Sequence, residues 1–143
     1  MKKNKGFTLI ELLAVLVILS IIALIITPIV TNLIKDAREK AAKDAMEGLV
    51  DAVEIYYGRQ VMKTDGTFNG NANLTLTFKS DGTVTPSNTT NIDTSIVLEY
   101  DGYKVKAGTV TITRFGVITA SNVEINGYIC QYTNNTVSCA EKA

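Results

Sequence analysis

Histidine and tryptophan are both missing from this chain of 143 residues, and cysteine and proline occur only twice each. Without histidine, neither a Ser–His nor a Cys–His nucleophile can be built. The glycines stand singly at turn-like positions, so no phosphate-cradling loop is present. Glu99 and Asp101 sit two apart beside a turn and read as a solvated edge rather than a catalytic pair. Neither an enzyme nor a cofactor is expected from such a sequence. No sign of charge dominates either, since fourteen basic and fourteen acidic residues cancel formally. Lys2, Lys3 and Lys5 crowd the first six residues, so the remainder leans acidic, which argues against a nucleic-acid surface driven by charge.

Charge is also missing from one long stretch: after Glu11 no ionisable side chain occurs until Lys35. A bilayer core needs ~20 apolar residues in helical form, so residues 12–34 suffice to cross it. An acid at the leading edge of such a run is costly. A charge near a bilayer centre costs roughly 2.5–3.5 kcal/mol, less near the interface, so Glu11 calls for a partner. The basic head marks the cytoplasmic side by the positive-inside rule. The run ends in Ile26-Thr27-Pro28-Ile29-Val30-Thr31-Asn32, which offers no small-residue cleavage site of the secretory kind. A retained signal anchor, or cutting on the other side of the run at Gly6, are the two readings left.

The residues at that junction, Lys5-Gly6-Phe7-Thr8-Leu9-Ile10-Glu11-Leu12, resemble the leader-peptidase site of type IV pilins and pseudopilins. The resemblance covers about the first 34 residues, with Pro28 included, and beyond them only the general layout. It implies cleavage between Gly6 and Phe7 by a prepilin peptidase, which also methylates the new N-terminus at Phe7. It implies assembly roles for Glu11 and Pro28, and partners in an assembly ATPase, a platform membrane protein and minor pilins. Cutting after Gly6 creates an α-ammonium at Phe7, positive at neutral pH. Glu11 lies four residues on, on the same helical face, and can pair with its own terminus or a neighbour's. The resemblance favours the neighbour, in a homopolymer held together by its helices. It implies a pilus subunit that waits in the cytoplasmic membrane and ends in a cell-surface filament. A pseudopilin of a secretion or competence system is the near alternative, and a plain membrane-anchored binding protein the remote one.

Pro28 removes one helical hydrogen bond and crowds the carbonyl of Leu24, at a cost of ~3 kcal/mol in a helix interior. Thr27 and Thr31 flank it and are candidates to satisfy the freed groups. From Lys35 the helical pattern turns amphipathic. Ile34, Ala37, Ala41, Ala45, Leu49, Val53 and Tyr56 form one stripe, with i,i+4 pairs at Asp36 and Lys40 and at Glu39 and Lys43 on the other faces. The stripe is small until Leu49, so packing is expected mainly after it, with Gly58 as the end point. One helix of about 51 residues, on the order of 76 Å long, is then predicted.

The remainder reads as strands. Residues 63–73 form a loop in which Asp65, Asn69, Asn71 and Asn73 offer oxygens, but the spacing is not that of a calcium loop and no metal is expected. Alternating residues 74–79 precede the turn Asp81-Gly82, and residues 83–94 read as an exposed loop. Three hairpins are predicted, over 95–107 with Asp101-Gly102, over 109–120 with Phe115-Gly116, and over 123–132 with Asn126-Gly127. Cys130 and Cys139 read as a disulfide closing a loop through Asn134-Asn135, with two reduced buried thiols as the alternative. The whole is an α+β chain: a leader (1–6), an apolar helix (7–34), its amphipathic continuation (35–62), and an antiparallel β domain (63–143).

Overall fold

The computed structural model describes residues 6–62, 73–87, 96 and 98–143. One helix, α1, spans Leu9–Met62, and six strands follow it: β1 (Leu74–Phe78), β2 (Val84–Pro86), β3 (Val105–Ile112), β4 (Ile118–Ile125), β5 (Tyr128–Thr133) and β6 (Thr136–Glu141). The strands form one antiparallel sheet in the order β2-β1-β3-β4-β5-β6. The chain divides into two units, residues 1–37 and 38–143.

In the first unit the helix carries its apolar residues on every side and buries none of them. It is unbroken through Pro28. The neighbouring hydroxyls do not answer the carbonyl of Leu24. Thr27 Oγ1 donates to the carbonyl of Ala23 at 2.6 Å, and Thr31 Oγ1 to that of Thr27 at 2.7 Å. Ser20 Oγ donates to Leu16 in the same way, at 2.7 Å. All three are local back-bonds that keep a hydroxyl satisfied where water is scarce.

In the second unit the helix packs on one face of the sheet. The buried apolar helical positions are Ala42, Ala45, Met46, Leu49, Val50, Ala52 and Val53, a broad stripe at spacings of three and four. All of them but Ala52 share one core with Leu74, Leu76, Val110, Ile112, Val123, Ile125 and Cys130 from the sheet. The other face of the same strands carries Thr75, Thr77, Thr109, Thr111, Thr119 and Ser121, as a period of two requires. The stripe therefore begins earlier than its small residues suggest, and Ile34 and Ala37 lie outside it, exposed. The alanines mark a close approach rather than an absence of packing. The backbone of residues 100–102 lies against them: a Cβ on Gly102 would stand 3.1 Å from Cβ of Ala45, and one on Gly48 3.6 Å from the carbonyl oxygen of Asp101. Glu39 and Lys43 form the expected pair at 2.7 Å. Gly58 does not end the helix, which runs one turn further to Met62.

The sheet holds two of the three predicted hairpins. β3 and β4 turn through Phe115-Gly116, with Ile112 opposite Ile118, and β4 and β5 turn through Asn126-Gly127, with Ile125 opposite Tyr128. The first predicted hairpin is not formed. Residues 98–104 make no strand, and the N–H of Val105 donates to Tyr100 Oη at 2.9 Å, so the tyrosine caps the start of β3 instead of pairing beside it. Lys104 Nζ lies 4.6 Å from the centre of the same ring. β3 is instead one strand with a kink at Gly108, opposite a bulge in β4 where Asn122 has φ of 53°. A Cβ on Gly108 would fall 2.6 Å from Cα of Val123 and 2.9 Å from the carbonyl oxygen of Asn122.

Two segments expected as loops are strands. Val84–Pro86 pairs with β1, with Val84 opposite Phe78, because the Asp81-Gly82 turn returns the chain along its edge. Thr136–Glu141 pairs with β5, and the disulfide between Cys130 and Cys139 joins residues directly opposite in that hairpin. Asn134 and Asn135, with φ of 52° and 59°, make its two-residue turn. Lys142 fixes the chain end twice, by Nζ to Glu124 at 2.7 Å and by its N–H to the carbonyl of Gly127 at 2.9 Å. Asp65, Asn69, Asn71, Ser95, most of the polar stretch to Thr94, and the lysines of the leader lie outside the described residues.

Candidate functional site

The start of α1 gathers most of the residues singled out by the sequence. Gly6, Phe7 and Thr8 precede the helix, and all three are exposed, Phe7 at 83%. The Gly6–Phe7 bond thus lies in non-helical chain, two residues ahead of the first helical position. What stops the helix there is Thr8. Its carbonyl accepts the first helical bond, from the N–H of Leu12 at 3.2 Å, which makes Thr8 the N-cap.

Glu11 completes the cap from three residues on. The N–H of Thr8 donates to Glu11 Oε2 at 2.8 Å, and Thr8 Oγ1 donates to the same oxygen at 2.7 Å. In return the N–H of Glu11 points at Thr8 Oγ1 at 3.4 Å, a long contact. This is a capping box, in which N-cap and N3 side chains satisfy each other's backbone donors. The acid also sits in the first turn, where the helix dipole favours negative charge. Before any cutting, Phe7 nitrogen is an amide and offers no ammonium, so Glu11 finds its partner in Thr8. Thr8 is not among the partners expected for Glu11 from the charge pattern, although Thr-x-x-Glu directly before an apolar run is a legible signal.

Behind this cap runs the apolar surface itself. Leu9, Leu13, Leu16, Ile25 and Leu33 are all more than half exposed. By length and composition this is a helix able to cross a membrane. Pro28 lies seventeen residues beyond Glu11 within it and does not join the cap. Cys130 and Cys139 belong to the second unit and have a structural part only. Among the described residues no group of three or more Cys, Asp or Glu side chains is placed to hold a metal ion.

The prokaryotic N-terminal methylation motif matches residues 1–27. Comparison with curated proteins and with solved structures gives no match. The motif implies a substrate of prepilin peptidase and, in general terms, the machinery of pilus assembly. It fits the apolar helix of a protein first anchored in a membrane and later extracellular. Residues 1–27 carry the type IV prepilin leader signature, which supports a type IV pilin-like or pseudopilin protein.

Proposed function

We propose that this chain is the structural subunit of a type IV pilus, cut between Gly6 and Phe7, methylated at Phe7, and polymerised through α1. The observation that carries this reading is the pairing of the leader signature with a helix whose first stretch, Leu9 to Ile34, buries none of its apolar residues. An anchor needs only ~20 such residues, yet here they are preceded by a carboxylate that anchoring does not use. A helix apolar all round is at home in lipid and equally in a bundle of its own copies. The same surface serves both in turn, and Glu11 is kept for the second. In the polymer its carboxylate meets the ammonium of Phe7 from another copy, and this pairing sets the register between helices more than it adds stability. The sheet and its disulfide form the part carried on the outside, and the chain is not an enzyme.

The reading is tested by replacing Glu11. With Glu11→Ala, membrane insertion and cutting are retained while filament yield, measured in material sheared from cells and viewed by electron microscopy, falls at least roughly tenfold, the scale of an interaction worth ~1.4 kcal/mol or more. Wild-type yield in that variant would remove the carboxylate from assembly.

A further inference from the structure

The sheet ends in two edges that are finished differently. At the β2 edge the N–H of Ser87 donates to the carbonyl of Thr75, and the N–H of Lys79 to that of Thr83. With these bonds Thr85 exchanges its own with Thr77, so the backbone groups of Val84 and Pro86 are turned away from β1. Proline has no N–H, and β2 is three residues long, so this edge presents a single donor, that of Val84. At the β6 edge the N–H of Lys142 donates to the carbonyl of Gly127, which places Ala140, Ser138 and Thr136 in the bonded pairs with β5. The N–H and C=O groups of Val137 and Cys139 therefore point outward, and no other backbone bond takes them among the described residues. β6 has none of the devices that blunt an edge. Its six residues include no proline, its register with β5 is unbroken, and its one charge, Glu141, stands at its end. The disulfide to Cys130 and the pair between Lys142 and Glu124 hold it in place.

We infer that β6 is a docking edge for β6 of a second copy, the two sheets joining antiparallel about a two-fold axis at Ser138. In this register Val137 of each copy faces Cys139 of the other, and four hydrogen bonds form, two in each facing pair. Ser138 meets Ser138, and Thr136 meets Ala140, all of them exposed. Glu141 falls opposite Asn135, so no like charges meet. The edge thus complements itself, which β2 with its one donor cannot do. A two-fold axis perpendicular to the sheet leaves both helices on one face of the joined sheet and reverses their direction. Such a pair does not fit within one membrane or one filament; under the filament reading it joins two filaments that run oppositely. Four bonds make a weak contact, and repetition along a filament multiplies it.

The test exchanges charges at the two-fold axis. Full chain in detergent is sedimented over a range of concentrations as wild type, Ser138→Lys, Ser138→Glu, and an equal mixture of the two variants. The wild type is expected to dimerise reversibly. Each variant alone sets like charges against each other and should weaken the dimer roughly tenfold or more. The mixture sets lysine against glutamate and should regain wild-type association. Ser121→Lys, exposed on the same sheet but in β4, should change nothing. In cells, wild-type filaments should lie in bundles under the electron microscope, and Ser138→Lys filaments should form in equal amount but lie singly. A monomeric wild type would leave the edge to a strand of a different protein and overturn the inference. Dimers indifferent to Ser138, a mixture no better than its components, or Ser138→Lys filaments that bundle as the wild type does would overturn it as well. A chain that forms no filaments brings down the filament reading alone, because sedimentation decides this inference without it.

Discussion

The two ends of α1 are apolar for different reasons. From Leu9 to Ile34 the apolar residues are long, surround the helix and stay exposed; from Ala42 to Val53 they form one stripe, mix small with large, and are buried. The second stretch is shaped by a fixed neighbour. Ala45 and Gly48 are small because the backbone of residues 100–102 approaches there, and Met46 and Leu49 are large because the sheet leaves room for them. The first stretch shows no such fitting within its own chain. Side chains chosen for general apolarity suit a partner that is fluid or repeated, as lipid and a bundle of copies are. A helix can thus state in its composition which of its surfaces is satisfied at home.

Substitutions can break this comparison, since damage to the fold should fall on the second unit alone. All six tyrosines lie beyond residue 55, so their fluorescence reports on unfolding of that unit in detergent-solubilised full chain. The largest effect is expected at Gly108. Its φ of 134° and the 2.6 Å approach to Cα of Val123 leave no space for a side chain, so Gly108→Ala should cost about 4 kcal/mol or abolish folding. Next, Leu49→Ala should cost about 3 kcal/mol by opening a cavity, whereas Leu16→Ala should change the unfolding midpoint by less than about 0.5 kcal/mol. Equal losses at both leucines would erase the distinction drawn above. Replacing Cys130 and Cys139 together by serine should cost roughly 2–3 kcal/mol, with insertion of the apolar helix untouched.

The smallest effect is one of pH. The hydroxyl and then the N–H of Thr83 hold the carboxyl of Asp81 below its ordinary value. Its contribution is therefore complete above the ordinary aspartate range and is lost as pH falls through the lowered value. The group is exposed, so the effect is slight. Tm should drop on going from wild type to Asp81→Ala at pH 7, and the gap should narrow as the pH falls below the ordinary aspartate range. A gap that widens on acidification would reverse the assignment.

Much of this was readable before the structure. The charge-free run, the helix, and the hairpins at Phe115-Gly116 and Asn126-Gly127 rest on local rules of period and turn, and local rules are written in adjacent residues. The failures share a cause. Residues 98–104 have the composition of a strand, but Tyr100 caps Val105 and lies against the helix near Gly48, and the second contact joins segments far apart in sequence. The kink at Gly108 answers a bulge at Asn122, which no reading of either strand alone reveals. Ala45 looked like weak packing because a small side chain does not announce what lies against it. At the candidate site, Glu11 stood out through its cost in an apolar setting. Thr8 did not, because an N-cap threonine is an ordinary residue until its partner is identified.

The proposed filament requires that α1 begin at a processed end and become the core of the polymer. Mass spectrometry of the N-terminus of this chain, taken from filaments sheared off cells, tests it most directly. A single species beginning at methylated Phe7 is expected. Filaments whose subunits retain Met1 would contradict it.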